Sequence, residues 1–175
     1  MVQRVWRRLC KLGLERDAVI AASRSQRHLL EDQLGPHIRL IAEPSRRDTF
    51  PAIALASAYL HSVLQVPSHE CVIALPIDGL IDDSFFSLLP LLERLIASAE
   101  AKLALIGVKP HGPSEKFGYI VPVQSPHADM PMRIERFVEK PSAEAAVGLI
   151  EAGALWNCGV FAFGLQYMLD RIATL

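Results

Sequence analysis

Cysteine is scarce in this 175-residue chain: Cys10, Cys71 and Cys158 stand far apart and form neither a C-x-x-C pair nor an even disulfide framework. That excludes a disulfide-stapled secreted scaffold and suits a reducing cytoplasm. Long hydrophobic runs are missing too. No stretch reaches the ~20 consecutive apolar residues of a membrane helix, and arginines interrupt the run from Val5 to Leu12, so no signal peptide is expected there. Nor is one sign of charge in excess. A formal net charge of -1 with 21% charged residues offers no basic surface for nucleic acid and no acidic disordered tail. Neither G-x-G-x-x-G nor G-x-x-x-x-G-K-[ST] occurs, so the phosphate loop with which nucleotide-binding α/β domains usually open is absent.

What is present is an ample core. A hydrophobic content of 51% in a length near the ~150 residues of an average domain predicts one globular body. Val2, Val5, Trp6, Leu9 and Leu12 fall at helical spacing and Gly13 can end that helix. Strands are predicted over residues 17–22, 38–42, 71–75, 102–108, 117–123, 134–139 and 155–163. Helices alternate with them: one capped by Ser25 and ending near Gly35, one from Thr49 to Val63 with Pro51 in its first turn, one from Phe85 to Ala99, and one capped by Ser142 and ending at Gly153. Such alternation implies an α/β fold with a mostly parallel sheet covered on both faces, which binds ligands at the carboxyl ends of its strands.

Several residues near those ends carry chemistry. Asp78 follows the strand 71–75, and a hard cation such as Mg²⁺ needs only one or two carboxylates besides phosphate oxygens. Asp78-Gly79 serves equally well as a plain turn. Asp82 and Asp83 complement the dipole of the helix that follows. Glu139 and Lys140 end a strand that Pro141 stops. A carboxylate accepts hydrogen bonds from vicinal sugar hydroxyls and an ammonium neutralises a phosphate, so a sugar phosphate would use both; an exposed ion pair of ~0–1 kcal/mol is the other reading.

Asn157 sits in the apolar stretch ALWNCGVF, where an unpaired buried amide costs ~1–3 kcal/mol, so its partners are ligand hydroxyls or turn backbone. Gly118 and Gly159 allow close approach of a ligand or supply unusual backbone angles. The segment from Glu43 to Ala52 leads from a strand end to a helix N-terminus, where free amides suit an anion or a base edge. There Thr49 reads as a cap and Arg46 and Arg47 as solvated loop charges. The histidines show no metal spacing.

In order along the chain, "EPSRRDTFPAIALA", "ALPIDGLIDD", "LALIGVKPHGPSEKFGYIVP", "FVEKP" and "GALWNCGVFAF" resemble the mannose-1-phosphate guanylyltransferase family of sugar nucleotidyltransferases. The resemblance implies a Rossmann-like nucleotidyltransferase domain, with residues 1–175 a partial catalytic domain. It places a catalytic Mg²⁺ on Asp78, although the family often has His or Pro where Gly79 stands. It places Gly118 and Tyr119 at a sugar pocket, Glu139 on the sugar hydroxyls, Lys140 on the sugar's phosphate and Asn157 beside the sugar. Through "RRDTFPA" it sets Arg47, Thr49 and Pro51 near a guanine base. The implied substrates are GTP and mannose-1-phosphate or a similar sugar phosphate; the products are a GDP-sugar and pyrophosphate.

The family's N-terminal signature, a glycine-rich loop with an arginine and a following Pro-Lys, has no counterpart here, and a later metal-binding aspartate would lie beyond Leu175. The chain is therefore expected to be N-terminally and C-terminally incomplete and to turn over negligibly alone. Exposed strand edges would leave it marginally stable or drive it into a homo-oligomer. Two other functions stay open: a non-catalytic binding or regulatory paralogue that kept the fold, and a transferase for another sugar-1-phosphate or nucleotide.

Overall fold

A computed structural model describes residues 1–45, 47–77, 83–123 and 131–174, the side chains of 83 and 84 apart. The elements are, in order, α1 (Val2–Lys11), β1 (Ile20–Ser23), α2 (Arg27–Leu34), β2 (Leu40–Glu43), α3 (Thr49–Ser62), β3 (Cys71–Ala74), α4 (Asp83–Phe86), α5 (Leu89–Ala97), β4 (Leu103–Val108), β5 (Tyr119–Pro122), β6 (Ile134–Val138), α6 (Ala143–Glu151), β7 (Leu155–Gly164) and α7 (Leu165–Ile172). None of these helices is long and apolar enough to cross a membrane. Contacts divide the chain into two compact units, one of Met1–Ala104 with Phe161–Leu175 and one of Leu105–Val160.

In the first unit β1 and β2 pair in parallel, Ile20 opposite Leu40. Period two along β1 buries Ile20 and Ala22, and these meet Leu30 of α2 and Trp6 of α1. Helix α1 ends as its sequence predicts: Gly13 takes φ +72 and its N–H donates to the Cys10 carbonyl, a left-handed closure that glycine accepts without strain. Helix α3 starts one residue away from expectation. Asp48, at φ +63, is the N-cap, no side chain caps the helix, and Thr49 is already its first turn. The stretch expected as one helix from Phe85 to Ala99 is two, because Pro90 offers no N–H to a preceding turn and is tolerated only where a helix starts, as it does in α5.

In the second unit β5 pairs antiparallel with both β6 and the first half of β7, so β6 and β7 run the same way with α6 as their crossover. The α/β alternation thus identifies a true βαβ connection, but an antiparallel strand is inserted inside it. The expected mostly parallel sheet is corrected accordingly: β1–β2 is parallel, whereas β3–β7, β5–β6 and β5–β7 are antiparallel. Only residues 123–133 join β5 to β6, fewer than the ~12 or more that a parallel crossover takes. Tyr119, Val121 and Trp156 of this sheet bury against Ala146 and Leu149 of α6.

Candidate functional site

The second unit assembles five of the sequence-predicted residues on one row of strands. Tyr119 lies opposite Val138 on one side and Trp156 on the other. Continuing that register by one residue sets Gly118 between Glu139 and Asn157, and the Asn157 N–H donates to the Gly118 carbonyl at 2.8 Å. Side chains alternate across a sheet, so the row 138–119–156 faces the core while 139–118–157 faces the other way. Glycine lets two exposed side chains close over the centre. A Cβ on Gly118 would lie 2.6 Å from Glu139 Oε2 and would overlap the Phe137 ring. Its absence lets the Phe137 ring and the Glu139 carboxylate close over the buried Gly118 backbone.

Lys140 joins this row by a backbone distortion. In a regular strand, neighbours point to opposite faces, but Lys140 takes φ +44, immediately before Pro141. A residue preceding proline is normally held extended, and a left-handed lysine costs ~1–2 kcal/mol. The distortion turns the ammonium back to 3.3 Å from Glu139 Oε1, with both side chains more than half exposed. An exposed pair of this kind is weak, about 0–1 kcal/mol, so both charges remain available to a ligand. Backbone strain of this sort concentrates at functional sites.

Asn157 Oδ1 accepts the N–H of Gly159, which takes φ +77. The turn reading of this asparagine is thereby met by its oxygen, while its amide nitrogen has no partner among the described residues. Cys158 points elsewhere, its thiol donating to the Ile106 carbonyl at 3.1 Å, and burial pushes its pKa up.

Tyr119 contributes from beneath. Its side chain is fully buried, and its hydroxyl accepts the Ser114 N–H at 2.9 Å and donates to the Ser114 carbonyl at 3.1 Å. It therefore moors the loop 109–118 rather than presenting a polar group to solvent. Glu115 moors the same loop from outside by accepting the Ala143 N–H of α6 at 3.1 Å, beside the cap that Ser142 makes to Ala145. Sequence reading missed Phe137 and Glu115. Phe137 was legible as the residue two before Glu139, hence on its face; Glu115 gave no local signal because its partner is 28 positions away.

In the first unit Arg47, Thr49 and Pro51 lie together at the start of α3, all exposed. Arg47 Nε donates to Ser45 Oγ at 3.2 Å, and the uncapped first turn leaves backbone amides for an acceptor. Asp78 lies outside the described residues, as do Arg46 and Asp82. Among the described residues no cluster of three or more His, Cys, Asp or Glu is placed to hold a metal.

Known proteins match this arrangement over its whole length. The family model of the nucleotidyl transferases matches residues 1–174. A mannose-1-phosphate guanylyltransferase of Escherichia coli is 32% identical over 99% of this chain and 37% of its own length. The alginate biosynthesis protein AlgA of Pseudomonas fluorescens is 28% identical over 98% of this chain and 36% of its own. The chain thus spans about a third of the length of these relatives. Among solved structures, a mannose-1-phosphate geranyltransferase of Thermus thermophilus superposes with a TM-score of 0.79 at 30% identity, covering 97% of this chain and 48% of the other. A mannose-6-phosphate isomerase of Helicobacter pylori, at 24% identity and TM-score 0.78 over 99% of this chain and 64% of its own, shares the fold. With its α/β architecture and a family match from end to end, the chain belongs to the nucleotidyl transferase family.

Proposed function

We propose that this chain carries the sugar-phosphate side of a mannose-1-phosphate guanylyltransferase-type enzyme, which transfers GMP from GTP to a sugar-1-phosphate and releases pyrophosphate. One observation carries the reading: the Glu139–Gly118–Asn157 row with the Lys140 ammonium turned back onto it. Glu139 accepts hydrogen bonds from adjacent sugar hydroxyls, Asn157 donates its amide N–H to another ring oxygen, and Lys140 neutralises the phosphate. Names of the relatives, with mannose-1-phosphate in two of them, support the same class of substrate.

In the reaction an oxygen of the sugar's phosphate attacks the α-phosphorus of the nucleoside triphosphate in line, a P–O bond forms, and pyrophosphate leaves with its bonding pair. Lys140 holds the attacking phosphate and offsets charge as the equatorial oxygens gain it. Arg47, Thr49 and Pro51 would sit near the guanine base. Mg²⁺ suits a lone aspartate with phosphate oxygens as its remaining ligands, the donor set Asp78 would offer, and would polarise the phosphates when bound.

Calorimetric titration of the chain with mannose-1-phosphate, glucose-1-phosphate and free mannose tests the sugar site. Binding of a sugar-1-phosphate that Lys140→Ala weakens by roughly ten- to a hundredfold is expected. A sugar phosphate that binds Lys140→Ala and Glu139→Gln as tightly as the unsubstituted chain would sink the assignment. Titrating the chain with GTP and with ATP then identifies the nucleotide.

A further inference from the structure

The first unit contains an open cavity that the proposed reaction does not use. Residues 15–16 lead into β1 and residues 35–39 into β2, and between them opens a cavity of about 380 Å³. It lies at the amino-terminal ends of this parallel pair, whereas α/β sheets bind their substrates at the carboxyl ends. The volume falls in the range of small-molecule sites, ~300–1,000 Å³.

Three kinds of chemistry meet in it. Half-buried Trp6 and Ile38 form an aromatic and aliphatic wall. Arg16, His37 and Arg39 stand exposed at the rim as donors. The rim is tied together, since Arg39 Nη1 donates to the Arg16 carbonyl at 2.7 Å and so joins the approach to β1 with the approach to β2. Glu15 supplies the third element: its half-buried carboxylate lines the cavity, and its Oε2 has no hydrogen-bond partner among the described residues.

The ligand must satisfy all three. An inorganic anion would meet the arginines but confront Glu15 with like charge. A neutral sugar would meet Glu15 and leave the guanidinium groups unused. A flat heterocycle bearing N–H donors and a phosphate meets each at once, the ring against indole, an N–H on the carboxylate and the phosphate on arginine.

We propose that this cavity is a separate binding site for a nucleoside monophosphate, with the base on Trp6 and Glu15 and the phosphate on Arg16 and Arg39. Indole fluorescence reads it directly. Trp6 and Trp156 are the two tryptophans, so Trp156→Phe leaves Trp6 as sole reporter for titration with GMP, AMP, UMP, ribose-5-phosphate and inorganic phosphate. Saturable quenching by at least one nucleotide, but not by ribose-5-phosphate or phosphate at the same concentration, is expected. Glu15→Gln and Arg16→Ala should each weaken it about tenfold, while Lys140→Ala or excess mannose-1-phosphate leaves it unchanged.

Arg16 is exposed, so its removal spares the fold even where Glu15→Gln does not, and calorimetry on the unsubstituted chain replaces fluorescence should Trp156→Phe fail to fold. The site is refuted by equal quenching from phosphate alone, by no binding of any nucleotide, or by nucleotide binding that survives Arg16→Ala and disappears with Arg47→Ala. None of these outcomes touches the sugar-phosphate titration above.

Discussion

The two compact units hold their candidate residues in different ways. In the first, Arg47, Thr49 and Pro51 sit on an exposed loop-to-helix junction whose first turn has no side-chain cap. In the second, Gly118, Glu139 and Asn157 are set by register across three strands, and the adjoining loop is moored by Tyr119 from below and Glu115 from outside. Strands place groups more precisely than loops do, and precision is what a discriminating hydroxyl and phosphate site needs. The comparison teaches that residues on a loop-to-helix junction are held by a looser frame than residues fixed by register across three strands.

The sharpest break of this contrast is a pair of glycine substitutions. Gly118→Ala pushes a methyl against the ends of the exposed Phe137 and Glu139 side chains, which must turn aside, so loss of sugar-phosphate binding is expected with no more than about 1 kcal/mol lost in thermal or denaturant unfolding. Gly13→Ala in the first unit meets nothing within 4 Å but must keep φ +72. It should cost about 1 kcal/mol of backbone strain and leave binding unchanged.

Lys140 separates stability from binding. Lys140→Ala should weaken sugar-phosphate binding by roughly ten- to a hundredfold, measured by calorimetry. Lys140→Gly should lose the same binding yet raise the melting temperature by ~2–4 °C, because glycine relieves the left-handed strain, about 1 kcal/mol. A Lys140→Gly protein that melts lower would show that the distortion costs nothing here.

Helix caps give a smaller effect. Ser142 caps α6 through Ala145, so Ser142→Ala should cost about 1 kcal/mol in chemical denaturation. Thr49 makes no cap in α3, and Thr49→Ala should stay within ~0.5 kcal/mol.

The smallest effect is in the thiols. Burial, then the carboxylates of Glu93 and Glu70, raise Cys71 from 9.0 to about 11, and burial also raises Cys158. The folded state holds these protons more tightly than the unfolded chain does. Their contribution is therefore complete below the ordinary thiol value and fades as pH climbs from about 9 toward 11. Alkylation should modify exposed Cys10 first at neutral pH, with Cys71 and Cys158 accelerating only in strong alkali. Equal rates for all three at pH 8 would contradict this.

Much of this was legible because it is local. The periodicity of α1, its closure at Gly13, the capping of α6 by Ser142 and the place of Pro51 in α3 all depend on contacts within a few residues. Glu139 and Lys140 were recognisable as a strand-end pair, and their proximity at 3.3 Å fits that reading. Strand direction was not legible, since periodicity reports which face is buried and says nothing of the neighbour's heading. The family resemblance set Tyr119 at a sugar pocket, and its hydroxyl is engaged with Ser114.

By itself the sequence determined the α/β class, the apolar faces and the chemical types of the candidate residues, because propensity, capping and period are properties of short stretches. Tertiary structure alone decided that Gly118 would lie between Glu139 and Asn157, that Lys140 would turn back onto that row, and that Glu15 Oε2 would be buried with no partner among the described residues. Those outcomes depend on strand register and loop closure, which bring together groups far apart in the chain and can be settled only when the whole core packs.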